Sequence, residues 1–88
     1  MNKITFSVNA WQEYTDCQTS NKNAIKKINS LIKDIARNPT EGIGKPERLV
    51  GYQGDVWSRR IDDKNRLVYR VLDNEIEIIQ CQGHYSDH

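Results

Sequence analysis

Eighty-eight residues are enough for one domain with a modest core and too few for two. Apolar residues make up 36% of the chain and charged residues 28%, the balance of a soluble globule, and no apolar run approaches the roughly 18 residues of a membrane span. The formal charge of +1 excludes binding of nucleic acid through bulk charge, yet it averages over a segregated chain: residues 22–37 carry five positive charges against Asp34, residues 55–70 carry five against three acids, and residues 73–88 carry four acids and no lysine or arginine.

Residues 3–7 (Lys-Ile-Thr-Phe-Ser) alternate and favour extended structure, which predicts a short first strand. Asn9, with Gln12 three residues on, reads as a capping box for a helix running to about residue 18. Trp11, Tyr14 and Cys17 give that helix its apolar stripe. Ser20-Asn21 breaks it and caps the next helix. There Ile25, Ile28, Leu31, Ile32 and Ile35 cover an arc of roughly 120°. Lys22, Lys26, Lys33 and Arg37 lie on the opposite side, within an arc of about 60°. Such a face is ordinarily just solvated; it becomes a phosphate-facing stripe when the partner is a large RNA. Asn38-Pro39 ends the helix, because the residue before proline leaves the α region.

Residues 38–55 hold both prolines and four of the five glycines, a long irregular connection of the kind that often carries function. Short extended pairing is expected within it around residues 47–50. Three β runs follow, Val56–Ile61, Arg66–Leu72 and Glu75–Cys81, joined by residues 62–65 and by the two-residue turn Asp73-Asn74. This order predicts a single α+β domain over residues 1–88. Its two N-terminal helices pack on a twisted, mainly antiparallel sheet of about four to five strands. Met1–Phe6 lacks the apolar region of a secretory signal, so a cytoplasmic protein with no membrane partner is expected. Cys17 and Cys81 are expected as buried thiols. Two distant cysteines, with His84 and His88 four apart, make no convincing metal site, and neither metal nor cofactor is expected.

The chemistry-bearing residues are Glu47 after Lys45-Pro46, Arg66 at the start of a strand, and His84-Tyr85 near the chain end. A carboxylate, a guanidinium and an imidazole are the parts needed to cleave RNA without a metal: a base, a cation for the phosphate and an acid. Each has an ordinary reading as well. Glu47 and His84 would otherwise be solvated, Tyr85 a packed or exposed ring, and Arg66 a surface salt bridge to Asp62 or Asp63. Arg59 and Arg60 are adjacent, so strand alternation sends them to opposite faces and only one can meet a substrate lying on the sheet.

Taken in order, Ser7 to Trp11, Lys26-Lys27-Ile28-Asn29, Gly42-Ile43-Gly44-Lys45-Pro46-Glu47, Trp57-Ser58-Arg59-Arg60-Ile61, Arg66-Leu67-Val68-Tyr69 and His84-Tyr85 resemble the YoeB/Txe family. These are toxin–antitoxin messenger-RNA endonucleases within the RelE superfamily, and the resemblance runs nearly end to end. It implies a RelE-like, microbial-RNase-like fold and metal-independent cleavage of messenger RNA in the ribosomal A site. By the same resemblance Glu47 is the general base, His84 the general acid, Arg66 the transition-state cation and Tyr85 a substrate-orienting residue. Arg60, Arg59, Lys45 and Arg48 would contact RNA, and Lys22, Lys26, Lys33 and Arg37 the ribosome. The implied partners are a YefM/Axe-like antitoxin whose tail folds on the toxin, messenger RNA and the 70S ribosome, with homodimerisation left open. Val50 stands where relatives often carry lysine, and Ser86-Asp87-His88 extend past the usual end. Both departures predict slower or altered cleavage. The competing reading is a non-catalytic module of the same fold that binds a protein target or only its antitoxin.

Overall fold

The computed structural model describes residues 1–83, so His84, Tyr85 and His88 lie outside the described residues. In chain order the elements are β1 (Lys3–Phe6), α1 (Val8–Ser20), α2 (Lys22–Arg37), β2 (Glu47–Arg48), β3 (Asp55–Arg60), β4 (Arg66–Leu72) and β5 (Glu75–Gln80). The five strands form one sheet in the order β1-β5-β4-β3-β2. Only β1–β5 is parallel; the other pairs are antiparallel, as expected for a mainly antiparallel α+β domain.

Helix α1 starts at Ser7, not at the Asn9 capping box. The Ser7 N–H donates to the Ile78 carbonyl at 2.9 Å, which ends β1 and holds Ser7 extended at φ −66°, ψ 162°. From there its hydroxyl accepts from the Ala10 N–H at 3.1 Å, so the cap is set by strand pairing and not by the local sequence pattern. The apolar stripe holds at Cys17, which is buried, and at Tyr14, which packs against the core. At its start Ala10 is the buried position, whereas Trp11 remains 53% exposed, stacked on Tyr14 and edge-on to Phe6.

Helix α2 follows its sequence pattern closely. Asn21 caps it by accepting from the Ala24 N–H at 3.1 Å. Ile28, Leu31 and Ile35 are fully buried, each contributing about 1.5–3 kcal/mol of gross burial energy. Ile25 and Ile32 flank them half-buried, and Lys22, Lys26, Lys33 and Arg37 are exposed. The helices cover one sheet face, where Leu67, Tyr69, Ile76 and Ile78 meet the α2 isoleucines.

The other face carries a smaller core of Leu49, Val56 and Val68, with Tyr52 and Ile79 against it. Between β4 and β5 the register slips: Tyr69 pairs with Ile78, but Val68 pairs with Gln80. This bulge at Ile79 turns Gln80 to the helix-free side and leaves Cys81 buried on the helix side against the Ala10 carbonyl. Both cysteines are free and buried, as expected. Among the described residues, no helix is long and apolar enough to cross a membrane.

Candidate active site

The helix-free face is where the candidate residues meet. On β3, Val56, Ser58 and Arg60 share that face, and Glu47 of β2 lies directly opposite Ser58. One step further along, Arg60 lies directly opposite Arg66 of β4. Ser58 and Arg60 are two residues apart, so the carboxylate row and the arginine row are separated by roughly 7 Å along the strands. Like charges placed directly opposite each other on a sheet repel. An anion between Arg60 and Arg66 removes that repulsion, and a phosphodiester is such an anion.

The turn before β4 sets the position of Arg66. Asp62 Oδ1 accepts from the backbone N–H groups of Lys64 (2.9 Å) and Asn65 (2.8 Å), a tight carboxylate-capped turn. The Asn65 amide donates to both Asp62 oxygens at 3.1 Å. These bonds hold the Asp62 carboxyl below its ordinary pKa, the Asn65 side chain contributing most. Arg66 Nη1 donates to the Asp62 and Asn65 carbonyls at 2.6 and 3.1 Å. In place of the surface salt bridge that was its ordinary reading, Arg66 thus bonds to backbone. The same turn reaches the last described residue: Gly83 N–H donates to Asn65 Oδ1 at 2.7 Å, and the Gly83 carbonyl accepts from the Arg66 N–H at 2.9 Å.

Arg59 is not available to a substrate, which corrects its expected RNA contact. It is fully buried on the helix side, and all of its N–H directions are used within the fold. Nη1 donates to Asp34 (2.5 Å) and to the Ile43 carbonyl, Nη2 to the Asn38 and Glu41 carbonyls, and Nε to the Tyr69 hydroxyl. Tyr69 passes its own proton on to the Pro39 carbonyl at 2.6 Å. The guanidinium thus organises the 38–44 connection that leads to Glu47. Gly42 belongs to this arrangement, at φ +134° with a virtual Cβ 1.9 Å from Asp34 Oδ2.

Arg48 is exposed. It lies opposite Trp57, on the face away from Glu47, and pairs at 3.1 Å with Asp55, which also accepts from the Trp57 indole N–H. Lys45 is exposed at φ 53°, two residues before Glu47. Val50 is 88% exposed and carries no charge. Among the described residues no cluster of three or more histidine, cysteine or acidic side chains is placed to hold a metal.

Sequence reasoning missed Asn65, Gln80 and the small core of the site-bearing face. The Asp62-to-Asn65 spacing is a turn signal that pointed to the first. Nothing local announces the bulge that re-aims Gln80.

The chain matches the family of YoeB-like toxins of bacterial type II toxin–antitoxin systems over residues 6–85. It is similar to a YoeB toxin of Streptomyces coelicolor, 47% identical over 83 residues that span 94% of this chain and 99% of that protein. Its structure is similar to that of a YoeB dimer from Staphylococcus aureus, with a TM-score of 0.87 and 48% identity over 96% of this chain and 98% of the other. It is equally similar to the toxin in a Staphylococcus aureus YoeB–YefM complex, with a TM-score of 0.85 and 49% identity over 97% of this chain and 99% of the other.

Proposed function

Because the chain belongs to the YoeB-like toxins of bacterial type II toxin–antitoxin systems, we propose that it is an endoribonuclease that cuts messenger RNA in the ribosomal A site without a metal. The observation that carries this reading is the convergence of Glu47, Arg60 and Arg66 on the helix-free face, with Gly83 bonded to the backbone of Arg66 immediately before His84 in the chain.

Glu47 takes the proton of the 2′-hydroxyl, and the freed oxygen attacks the adjacent phosphorus. A P–O2′ bond forms, the P–O5′ bond breaks, and His84 protonates the departing 5′-oxygen. Arg66, with Arg60 opposite it, stabilises the charge that builds on the pentacoordinate phosphorus. Tyr85 orients the nucleotide, and Lys45 holds the flanking backbone. The products are a 2′,3′-cyclic phosphate and a 5′-hydroxyl. DNA lacks the nucleophile and is inert.

Two partners follow. The related Staphylococcus aureus toxin is seen with YefM. The corresponding partner here is an antitoxin whose acidic, apolar tail folds over Arg60 and Arg66 and occupies the phosphate position. The relative's dimer makes self-association the companion expectation. Lys22, Lys26, Lys33 and Arg37, all exposed on the outer side of α2, face ribosomal RNA.

The test is primer extension on a defined messenger RNA, with and without programmed 70S ribosomes, for wild type and His84→Ala. A cut within the A-site codon that needs the ribosome and vanishes in His84→Ala supports the reading. No cut by folded wild type under either condition overturns it in favour of a non-catalytic binding module.

A further inference from the structure

The turn between β3 and β4 does more than connect two strands. Its Asn65 side chain is engaged at both ends: Nδ2 donates to the Asp62 carboxylate, 3.1 Å from each oxygen, and Oδ1 accepts the Gly83 N–H at 2.7 Å. Gly83 is held at two further points: its carbonyl accepts from the Arg66 N–H at 2.9 Å and from Gln80 Nε2 at 2.9 Å. Gly83 sits at φ +81°, a conformation that glycine adopts without steric cost. Three bonds thus fasten Gly83, one residue before His84, to the Arg66 turn and to β5. The same turn fixes the Arg66 guanidinium through the Asp62 and Asn65 carbonyls.

We infer that Asn65 is a positioning residue of the cleavage reaction, locking Gly83, the residue bonded to His84, to the turn that holds Arg66. The inference rests on the endoribonuclease reading and deepens it. Asn65 touches no reacting atom. Its contribution is geometric: a misplacement of about 1 Å in a catalytic group costs on the order of 100-fold in rate. Asp62 serves the same end at one remove, because its carboxylate orients the Asn65 amide so that Oδ1, not Nδ2, faces Gly83.

A change of leaving group separates this role from a general loss of stability. With the ordinary 5′-oxygen the P–O5′ bond breaks to an alkoxide that needs the proton of His84. With sulfur bridging at the 5′-position the P–S bond breaks to a stable thiolate that needs none. The experiment compares wild type, His84→Ala and Asn65→Ala on programmed 70S ribosomes, using two messenger RNAs that differ only in that bridging atom. Asn65→Ala is expected to lose about 10- to 100-fold on the oxygen substrate and to recover most of it on the sulfur substrate, as His84→Ala does. The ratio of the two rates is independent of how much of a sample is folded. Hydrogen exchange read by NMR should show the Gly83 amide protected in wild type and unprotected in Asn65→Ala.

Should Asn65→Ala fail to fold, Gln80→Ala removes one bond to Gly83, leaves the turn whole, and is expected to show the same sulfur rescue on a smaller loss. Equal losses of Asn65→Ala on both substrates, or none on either, overturn the inference while leaving the endoribonuclease reading intact. Wild type that cuts neither substrate overturns that reading, and the inference with it.

Discussion

Replacing Arg59 by methionine tests whether its guanidinium is structural or binds RNA. Methionine keeps the unbranched stem and deletes all five hydrogen bonds. The Asn38, Glu41 and Ile43 carbonyls lose their donor, and a fully desolvated carbonyl left so costs about 1–3 kcal/mol. Asn38, Glu41 and Ile43 are themselves exposed, so water replaces part of what is lost and the sum falls toward the lower end, near ~3 kcal/mol. For a domain of this size that corresponds to a Tm lower by about 12–24 °C. The pH dependence should change in parallel. Asp34 is held below its ordinary carboxyl pKa of 3.8, first by the Arg59 hydrogen bond and then by the Ile43 N–H. The folded state therefore binds this proton less readily than the unfolded one. The contribution of Asp34 is fully present above about pH 4 and is lost as pH falls through the lowered folded value. Thermal melts of wild type and Arg59→Met from pH 7 to pH 2.5 should show a large gap at neutral pH that narrows in acid. A variant that melts within about 4 °C of wild type yet fails to bind RNA would refute the argument, since 4 °C corresponds to only ~1 kcal/mol here.

Gly42→Ala is expected to act on the same arrangement from the other side, because its Cβ would enter the space of Asp34 Oδ2. Its loss in Tm should be clearly non-additive with that of Arg59→Met in a double-mutant cycle; simple additivity would place the two in separate networks. Burial pushes the Cys81 thiol up to about 12 and raises Cys17 as well. A thiol at that value is about 10⁻⁴ thiolate at pH 8, so alkylation of native protein should track global unfolding, and labelling of either cysteine at a free-thiol rate would contradict it. Lys26→Glu combined with Lys33→Glu should weaken ribosome binding and flatten its salt dependence, with an unchanged melting curve because both side chains are exposed. Unchanged affinity from a normally folded double variant would remove the α2 face from the ribosome contact.

The parts of this fold legible in the sequence are those in which local pattern and tertiary demand coincide. Helix α2 is one: its isoleucine and leucine spacing, its asparagine cap and its proline stop all agree, and the structure obeys each. The Asp73-Asn74 turn is another: it separates the paired Leu72 and Glu75 by two residues, with Asn74 at φ 59°, a left-handed conformation that asparagine tolerates. Helix α1 marks the opposite case. Asn9 offered a local cap, but parallel pairing of β1 with β5, some 70 residues away, ended the strand at Phe6 and gave the cap to Ser7. A local pattern cannot report a hydrogen bond made across the chain. The bulge at Ile79 escaped for the same reason, since it is defined only by the partner strand.

Arg59 and Arg60 show how far alternation alone could carry the site. It predicts that the two neighbours separate, but it does not say which side the helices cover. The large apolar side chains Leu67, Tyr69, Ile76 and Ile78 set the covered side, and there Asp34 of α2 meets Arg59. Once Arg59 is committed, Arg60 must face the bare side, where it stands opposite Arg66, one step from the Glu47 row. The buried guanidinium organises the connection that carries Glu47, and the exposed one is the proposed phosphate contact. One dipeptide thus supplies a fold determinant and a proposed site residue, and the apolar rows of the neighbouring strands separate the two.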